Sequence, residues 1–362
     1  MNHNFPYVSV IIPVFNIEEY LPQCLESLSR QSYQNFEVLC VDDASSDGSA
    51  AVVEAYEKRD SRVHLLRKEH GGVSAARNHG IRQARGQYIL FFDGDDWPEA
   101  DMLSELVSAA EASQADVTVC SACVHCDAAD RRTQRRLNSL RRELTVSDHL
   151  WEAEEDPRAV WMALAQAGSW PFVWNKLIRT DLLREHEILF SEQLQLGEDG
   201  LFLQILFQYA RRIKFIKPAL YHYRYQRKSS ATVRLFQQQL TRFDQHLRIL
   251  QNLCCELHRR NKLEENRLDL LRWMIIFLYD DFVRLPAPQQ PVASREIRLT
   301  LLTHGLMGQG QLLDRVSEKR LRILCDTKSA PTKLGRVCCI IKTKIENRVS
   351  KLLSRNVQYR RK

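Results

Sequence analysis

The sequence predicts an α/β protein built on a doubly wound, mostly parallel sheet and followed by an α-helical C-terminal region. Three observations carry this. Short β-branched and aromatic runs at 7–15, 36–41, 63–66 and 88–92 suit strands of a parallel sheet, the last reading as buried on both faces. Stretches with apolar residues at helical spacing alternate with them. Two of the runs stop at carboxylates, Asp42 and Asp43 in one and Asp93, Asp95 and Asp96 in the other, which sets acids at the edge where open α/β sheets bind ligands.

In chain order, 7–15 is a first strand ending near Pro13 and followed by Asn16. Over 18–30, Tyr20, Leu21, Cys24, Leu25 and Leu28 recur at helical spacing, with Pro22 tolerated in the first turn. The second strand, 36–41, runs through Asp42 and Asp43 into a Ser-rich loop and a helix over 49–58. After the third strand, His70-Gly71-Gly72 turns into a helix over 74–85 whose start is rich in backbone donors. The strand at 88–92, a helix over 99–112 and a strand at 117–123 continue the alternation.

Asp93, Asp95 and Asp96 repel one another unless a cation neutralises them. Hard oxygen donors along a turn suit Mg²⁺ or Mn²⁺, which keep waters and take further ligands from a substrate diphosphate. The plain alternative is a solvated acidic turn capping the next helix. With acids from two strands on one edge, a nucleotide fits between them: one carboxylate can accept a base N–H, and the others can take ribose hydroxyls and a metal.

Four motifs, in order, carry a resemblance: Val-Ser-Val-Ile-Ile-Pro-Val-Phe-Asn at 8–16, Asp-Asp-Ala-Ser-Ser-Asp-Gly-Ser at 42–49, Gly-Val-Ser-Ala-Ala-Arg-Asn at 72–78 and Asp-Gly-Asp-Asp at 93–96. Together they resemble family 2 glycosyltransferases of the GT-A fold, over about residues 1–230. The resemblance implies that Pro13 and Asp43 flank the uracil of a UDP-sugar, that Arg77 lies near the nucleotide and Asp93 near the ribose, and that Asp95 ligates the metal, with Asp96 completing the acidic turn. Ala44 and Ser46 depart from the Gly and Thr more usual there.

Inverting transfer also needs a base for the acceptor hydroxyl. Gly-Glu-Asp-Gly-Leu-Phe at 197–202 looks like the family's acidic motif, which implies Asp199 as that base and Glu198 as its neighbour or an acceptor contact. The same pair also reads as the cap of a helix over 201–209. Just before it, Trp170 and Trp174 can stack on sugars or fill core, and the resemblance puts Asn175 and Lys176 on the acceptor side. His222 and Arg224, with Arg227, are placed to cover the diphosphate as it leaves; equally, 221–225 reads as an alternating edge strand.

Beyond 230 the alternation ends. Apolar periodicity predicts helices over 235–257 and 268–285, a section that packs on the catalytic part or on its own copy as a homo-oligomer. The division expected is therefore 1–230 catalytic, 231–330 helical and 331–362 a basic tail. Residues 333–362 hold ten Lys or Arg against the single acid Glu346, a net +9 within a chain total of +7, which leaves 1–332 at −2. An apolar stripe from Leu334 through Val337, Ile341, Ile345 and Leu352 makes that tail suited to an anionic membrane surface, where a lipid-linked saccharide would be presented. Nucleic acid is disfavoured, because no base-reading element accompanies the charge.

The absence of a long apolar run or a secretion signal, with ten cysteines at no framework spacing, places the chain in the cytoplasm, peripheral to the inner membrane face. The spacing of Cys120, Cys123, Cys126 and His125 is a poor zinc set, since strand alternation turns Cys120 and Cys123 to opposite sides. The expected activity is metal-dependent, inverting transfer of a hexose or N-acetylhexosamine from a nucleotide-diphosphate sugar to a saccharide hydroxyl of a bacterial surface polysaccharide. The alternatives are a nucleotidyltransferase, which lacks its Gly-rich basic loop here, and a non-catalytic membrane module, which would not need the acids.

Overall fold

Runs of Val, Ile, Leu and Phe form the central strands because both faces are covered. Every residue of β2 (Phe36–Asp42) and of β4 (Tyr88–Phe91) is buried, as is all of β1 (Val8–Val14) except Pro13. The computed structural model describes residues 7–126, 137–138, 140–141, 144–152, 172–194, 196–225, 239–306 and 315–325. The chain divides into two compact units, 1–230 and 231–362.

In the first unit, β1, α1 (Leu21–Ser29), β2, α2 (Ser49–Glu57), β3 (Val63–Arg67), α3 (Gly72–Gln83) and β4 alternate as expected. They are followed by β5 (Trp97–Pro98), α4 (Met102–Ser113), β6 (Val117–His125), β7 (His149–Glu152), β8 (Lys176–Arg179), α5 (Thr180–Glu185), α6 (Glu198–Leu206) and β9 (Arg212–Arg224). The sheet runs β3-β2-β1-β4-β8-β6-β9-β5, with β7 on β9.

Strand order reverses around β1, which pairs in parallel with β2 on one side and β4 on the other. Such a switch point leaves a crevice at the carboxyl ends of the strands. Pro13 and Asp42 stand at the ends of β1 and β2 there, and Asp43 and Asp93 just beyond the strands, since Val14 registers with Asp42 and Ile11 with Phe91.

The expected parallel arrangement is seen in β3, β2, β1 and β4, and again between β6 and β9. From β8 onward the sheet is mixed: β8 is antiparallel to β4 and β6, and β9 is parallel to β6 but antiparallel to β5 and β7. β8 is four residues with Lys and Arg at its ends, which hides it from any apolar-run criterion. The helix expected from Glu99 begins instead at Met102, because Trp97 and Pro98 are drawn into a short pairing with His222 and Tyr221.

Ala44 shows what the departure from glycine costs. Its φ of 61° lies in the left-handed region, which disfavours a Cβ by about 1–2 kcal/mol. Ala44→Gly is expected to raise stability by about 1 kcal/mol, part of the relief being offset by the freer unfolded chain. A urea midpoint that does not rise would show that the loop relaxes in solution.

The second unit contains α7 (Gln239–Arg259), α8 (Leu263–Phe282), α9 (Gln290–Thr303) and α10 (Arg315–Cys325). Phe243, Leu247, Leu250, Leu253 and Leu257 form the buried stripe of α7, and Leu271, Met274, Ile275, Leu278 and Phe282 that of α8. Asp281 is buried against the Arg242 guanidinium and the His246 ring, a charge kept inside by an ion pair and a hydrogen bond. Among the described residues no helix is long and apolar enough to cross a membrane. The basic tail, Trp170 and Arg227 lie outside the described residues.

Candidate active site

The loops after β1 and β2 are laced together. Asn16 N–H donates to Ser45 Oγ at 3.1 Å, Ser46 N–H to Asn16 Oδ1 at 2.8 Å, and Ile17 N–H to Ser49 Oγ at 2.9 Å. Asp43 leaves β2 into the N-terminus of α3. Its Oδ1 accepts from Lys68 Nζ at 2.5 Å and Gly71 N–H at 2.9 Å, and its Oδ2 from Gly72 N–H at 2.7 Å and faces His70 Nδ1 at 2.9 Å. Gly72 has φ 86°, a conformation a side chain would resist, and this lets consecutive amides face one carboxylate. Both Asp43 oxygens are thus doubly engaged. The His70 ring lies 4.7 Å from that of Phe15, which is 45% exposed.

Asp93-Gly94-Asp95-Asp96 forms a tight turn closed by Asp96 N–H on the Asp93 carbonyl at 3.0 Å. Gly94 is pressed against Ile17, 2.5 Å from where a Cβ would stand, so the turn approaches the β1 loop as no other residue could. Oxygens of Asp93, Asp95 and Asp96 come within 4.8 Å of one another. Asp96 is buried: Tyr221 O–H donates to it at 2.6 Å and Arg224 N–H at 2.7 Å. Burial, and then the charges of Asp95 and Asp93, push its pKa well above the carboxylate range. This donor set fits a hard divalent cation: oxygen only, convergent, and with a repulsion that a cation relieves.

Arg77 joins the two halves of the site. On α3, 3% exposed, it donates through Nη2 to Asp93 at 3.0 Å and through Nη1 to Asp199 at 2.5 Å, with Glu198 at 3.4 Å. Its neighbour Asn78 holds Phe190 by exchanging hydrogen bonds with that residue's backbone at 3.0 and 2.8 Å, and Phe190 underlies the Arg77 guanidinium at 5.1 Å. Asp199 sits in the first turn of α6, its side chain 16% exposed. Burial is the main cause that pushes its pKa up to about 7; Glu198 and Asp93 add to it, while Arg77 and the Val173 N–H oppose it. Arg77 keeps its charge, raised further by these acids.

Other expected residues are placed differently. Trp174, Asn175 and Lys176 are 1%, 0% and 0% exposed, so they stand behind the site instead of offering a surface to an acceptor. Trp174 is stacked at 4.1 Å on Tyr221. His222 is engaged within the fold: its ring is stacked on Trp97, and its nitrogens meet His125 and Glu99, each at 2.8 Å. Arg224 is likewise a brace. Its guanidinium lies over Tyr20 and Trp97, its Nε donates to the Asp95 carbonyl at 3.0 Å and its Nη2 to Gln23 at 2.8 Å. Residues that periodicity did not single out are Lys68, His70, Phe15 and Tyr221; a cation just past the end of β3 was the one signal for Lys68.

A family model described as "Glycosyl transferase family 2" matches residues 9–164. EpsJ of Bacillus subtilis (strain 168), an uncharacterized glycosyltransferase, is 35% identical over 60% of this chain and 61% of its own length. EpsH of the same organism, also named as a glycosyltransferase, is 31% identical over 75% of each chain. This chain thus spans between about three fifths and three quarters of those relatives' lengths. The crystal structure of S. aureus TarS 1-349 in complex with UDP-GlcNAc superposes with a TM-score of 0.62 at 20% identity, covering 88% of this chain and 90% of that one, and so shares its fold. A sheet whose switch point gathers acids, and a relative of this identity and coverage, lead to one assignment: the chain belongs to glycosyltransferase family 2 and has the GT-A fold.

Proposed function

We propose that this glycosyltransferase moves a hexose or N-acetylhexosamine, with inversion and metal dependence, from UDP-sugar to a hydroxyl of a saccharide acceptor in bacterial surface polysaccharide synthesis. The observation that carries this is Arg77, whose guanidinium bonds Asp93 on the acidic turn and Asp199 opposite it at 3.0 and 2.5 Å. One side of the site can thereby serve the leaving nucleotide and the other the incoming hydroxyl. The UDP-GlcNAc held by TarS supports a uridine donor.

In this reading Asp199 takes the acceptor proton as the acceptor oxygen bonds to the anomeric carbon and the bond to the diphosphate breaks, its electron pair leaving with the diphosphate. A base with pKa near 7 is well matched to that task. Oδ1 is committed to Arg77; Oδ2, with the Val173 N–H at 3.4 Å, has a lone pair for the proton. Asp95 would hold Mg²⁺ or Mn²⁺, which when bound neutralises the diphosphate as it leaves, with Asp93 toward the ribose. Asp43 meets the base N–H by releasing His70, which is 60% exposed and strands no buried group when it goes. Residues 1–230 carry this chemistry, and the Pro13 end of β1 borders the base.

The test is a panel of nucleotide sugars with Mn²⁺ and saccharide acceptors, read by UDP release. Release of UDP with one sugar supports the reading; formation of pyrophosphate from UTP and a sugar phosphate instead would establish a nucleotidyltransferase.

We further propose that residues 333–362 hold the enzyme on the inner face of the cytoplasmic membrane, near a lipid-linked acceptor. The net +9 and its apolar stripe support this. Deleting 333–362 is expected to abolish flotation with anionic vesicles while transfer to a soluble acceptor stays within about twofold. Unchanged vesicle affinity would remove the tail from the account.

A further inference from the structure

Lys176 opens β8 with no solvent exposure at all. An ammonium there gives up its hydration, and burial pushes its pKa down to about 7. An apolar side chain of similar volume would fill the space without that penalty. The hydrogen bonds around it show what the charge is used for. Nζ donates to the Phe172 carbonyl at 2.5 Å and to Asn175 Oδ1 at 2.9 Å, while Lys176 N–H returns to the Val173 carbonyl at 3.2 Å. Asn175 Nδ2 donates to the Cys120 carbonyl at 2.7 Å, and Cys120 N–H to the Asn175 carbonyl at 3.1 Å. Residues 172–176 are thus folded into a closed turn pinned to β6. The Val173 N–H of that turn is directed at Asp199 Oδ2, 3.4 Å away.

We propose that Lys176 is a positioning residue for transfer: by holding the Phe172 carbonyl it aims the Val173 amide at the oxygen of Asp199 that takes the proton. This rests on Asp199 being the base. The groups facing Asp199 are Arg77 from α3, Glu198 on α6 itself, Asp93 from the end of β4, the Val173 amide, and, further back, Lys176. Of the last two, the amide and the ammonium both favour ionised Asp199, so losing either raises its pKa. Lys176 is therefore felt in the pH profile and in kcat, while the donor's contacts at Asp43 and Asp95 are untouched.

Lys176→Met keeps the length and volume of the side chain and removes its donors. In the full chain with UDP-sugar and Mn²⁺, kcat should fall about tenfold, the acid limb of the kcat profile should move to higher pH, and the donor KM should stay within about twofold. Val173→Pro removes the same amide directly and should reproduce both changes, with the double variant no worse than Val173→Pro alone. A Lys176→Met enzyme with normal kcat and acid limb overturns the proposal, as does one that merely melts earlier with a normal profile. If Lys176→Met does not fold, Val173→Pro decides by the same readouts. Asp199→Asn separates the two layers. If it stays active, the base assignment itself falls; if it is inactive while both turn variants are normal, only the role of Lys176 falls.

Discussion

Asp199→Asn should leave nucleotide binding intact and reduce transfer by roughly 10²–10⁴-fold, the usual contribution of a positioned general base. Asn has the same shape and its single oxygen can still accept from Arg77, with its amide nitrogen then facing the Val173 N–H, but it cannot take the acceptor's proton. Arg77 retains Asp93 and Glu198, so the donor side keeps its geometry. The sign of the pH dependence follows from the pKa of about 7: the base must be ionised, so wild-type kcat/KM falls as pH drops below about 7 and levels above it. The residual activity of the variant should show no such limb. Stability should be unchanged or higher, because Asp93, Glu198 and Asp199 surround a single guanidinium and one fewer carboxylate lowers their mutual repulsion. Steady-state kinetics from pH 5.5 to 8.5 with a UDP-binding titration checks all three; normal transfer by the variant would mean another residue is the base.

What the sequence could disclose was set by range. β1, β2 and β4 are apolar runs, the last two ending at acids, and a parallel sheet with Asp43 and Asp93 at one edge follows from local pattern alone. β8 could not be found that way: Lys176 and Arg179 at its ends look like loop, and only burial between β4 and β6 makes a strand of it. The pairing of Arg77 with Asp199 spans 122 positions, a relation that no spacing encodes. Charge misled in a consistent direction. Arg224 and His222 are polar residues in a motif-rich stretch, where polarity suggested contact with substrate, as the resemblance suggested it for Lys176. Each is instead consumed by a carbonyl, a carboxylate or an aromatic face belonging to the fold. The acidic turn needs such bracing, because a chain segment holding three mutually repelling carboxylates keeps its shape only if its backbone and its innermost acid are fixed from outside, as Arg224 and Tyr221 fix them.

Asp95→Ala is expected to separate two effects that usually move together, stability and binding. Without metal, Asp95 is one of three convergent carboxylates and one of the charges that raise the pKa of buried Asp96. Removing it relaxes that repulsion, so the metal-free variant should melt no earlier than wild type. With Mn²⁺ and UDP the order reverses: at about one hundred times Kd, wild type gains about 2.7 kcal/mol by ligation to the native state, and the variant, lacking a carboxylate that would hold the metal, gains almost none. Transfer should fall about a thousandfold, the loss expected when several kcal/mol of charge stabilisation disappears from the leaving group. Asp199→Asn, by contrast, keeps the full thermal shift with Mn²⁺ and UDP. Thermal unfolding of the two variants with and without Mn²⁺ and UDP therefore assigns each carboxylate to its side of the site. A wild-type shift in Asp95→Ala would transfer the metal to other ligands, and the loss of that shift in Asp199→Asn would make Asp199 part of the nucleotide site.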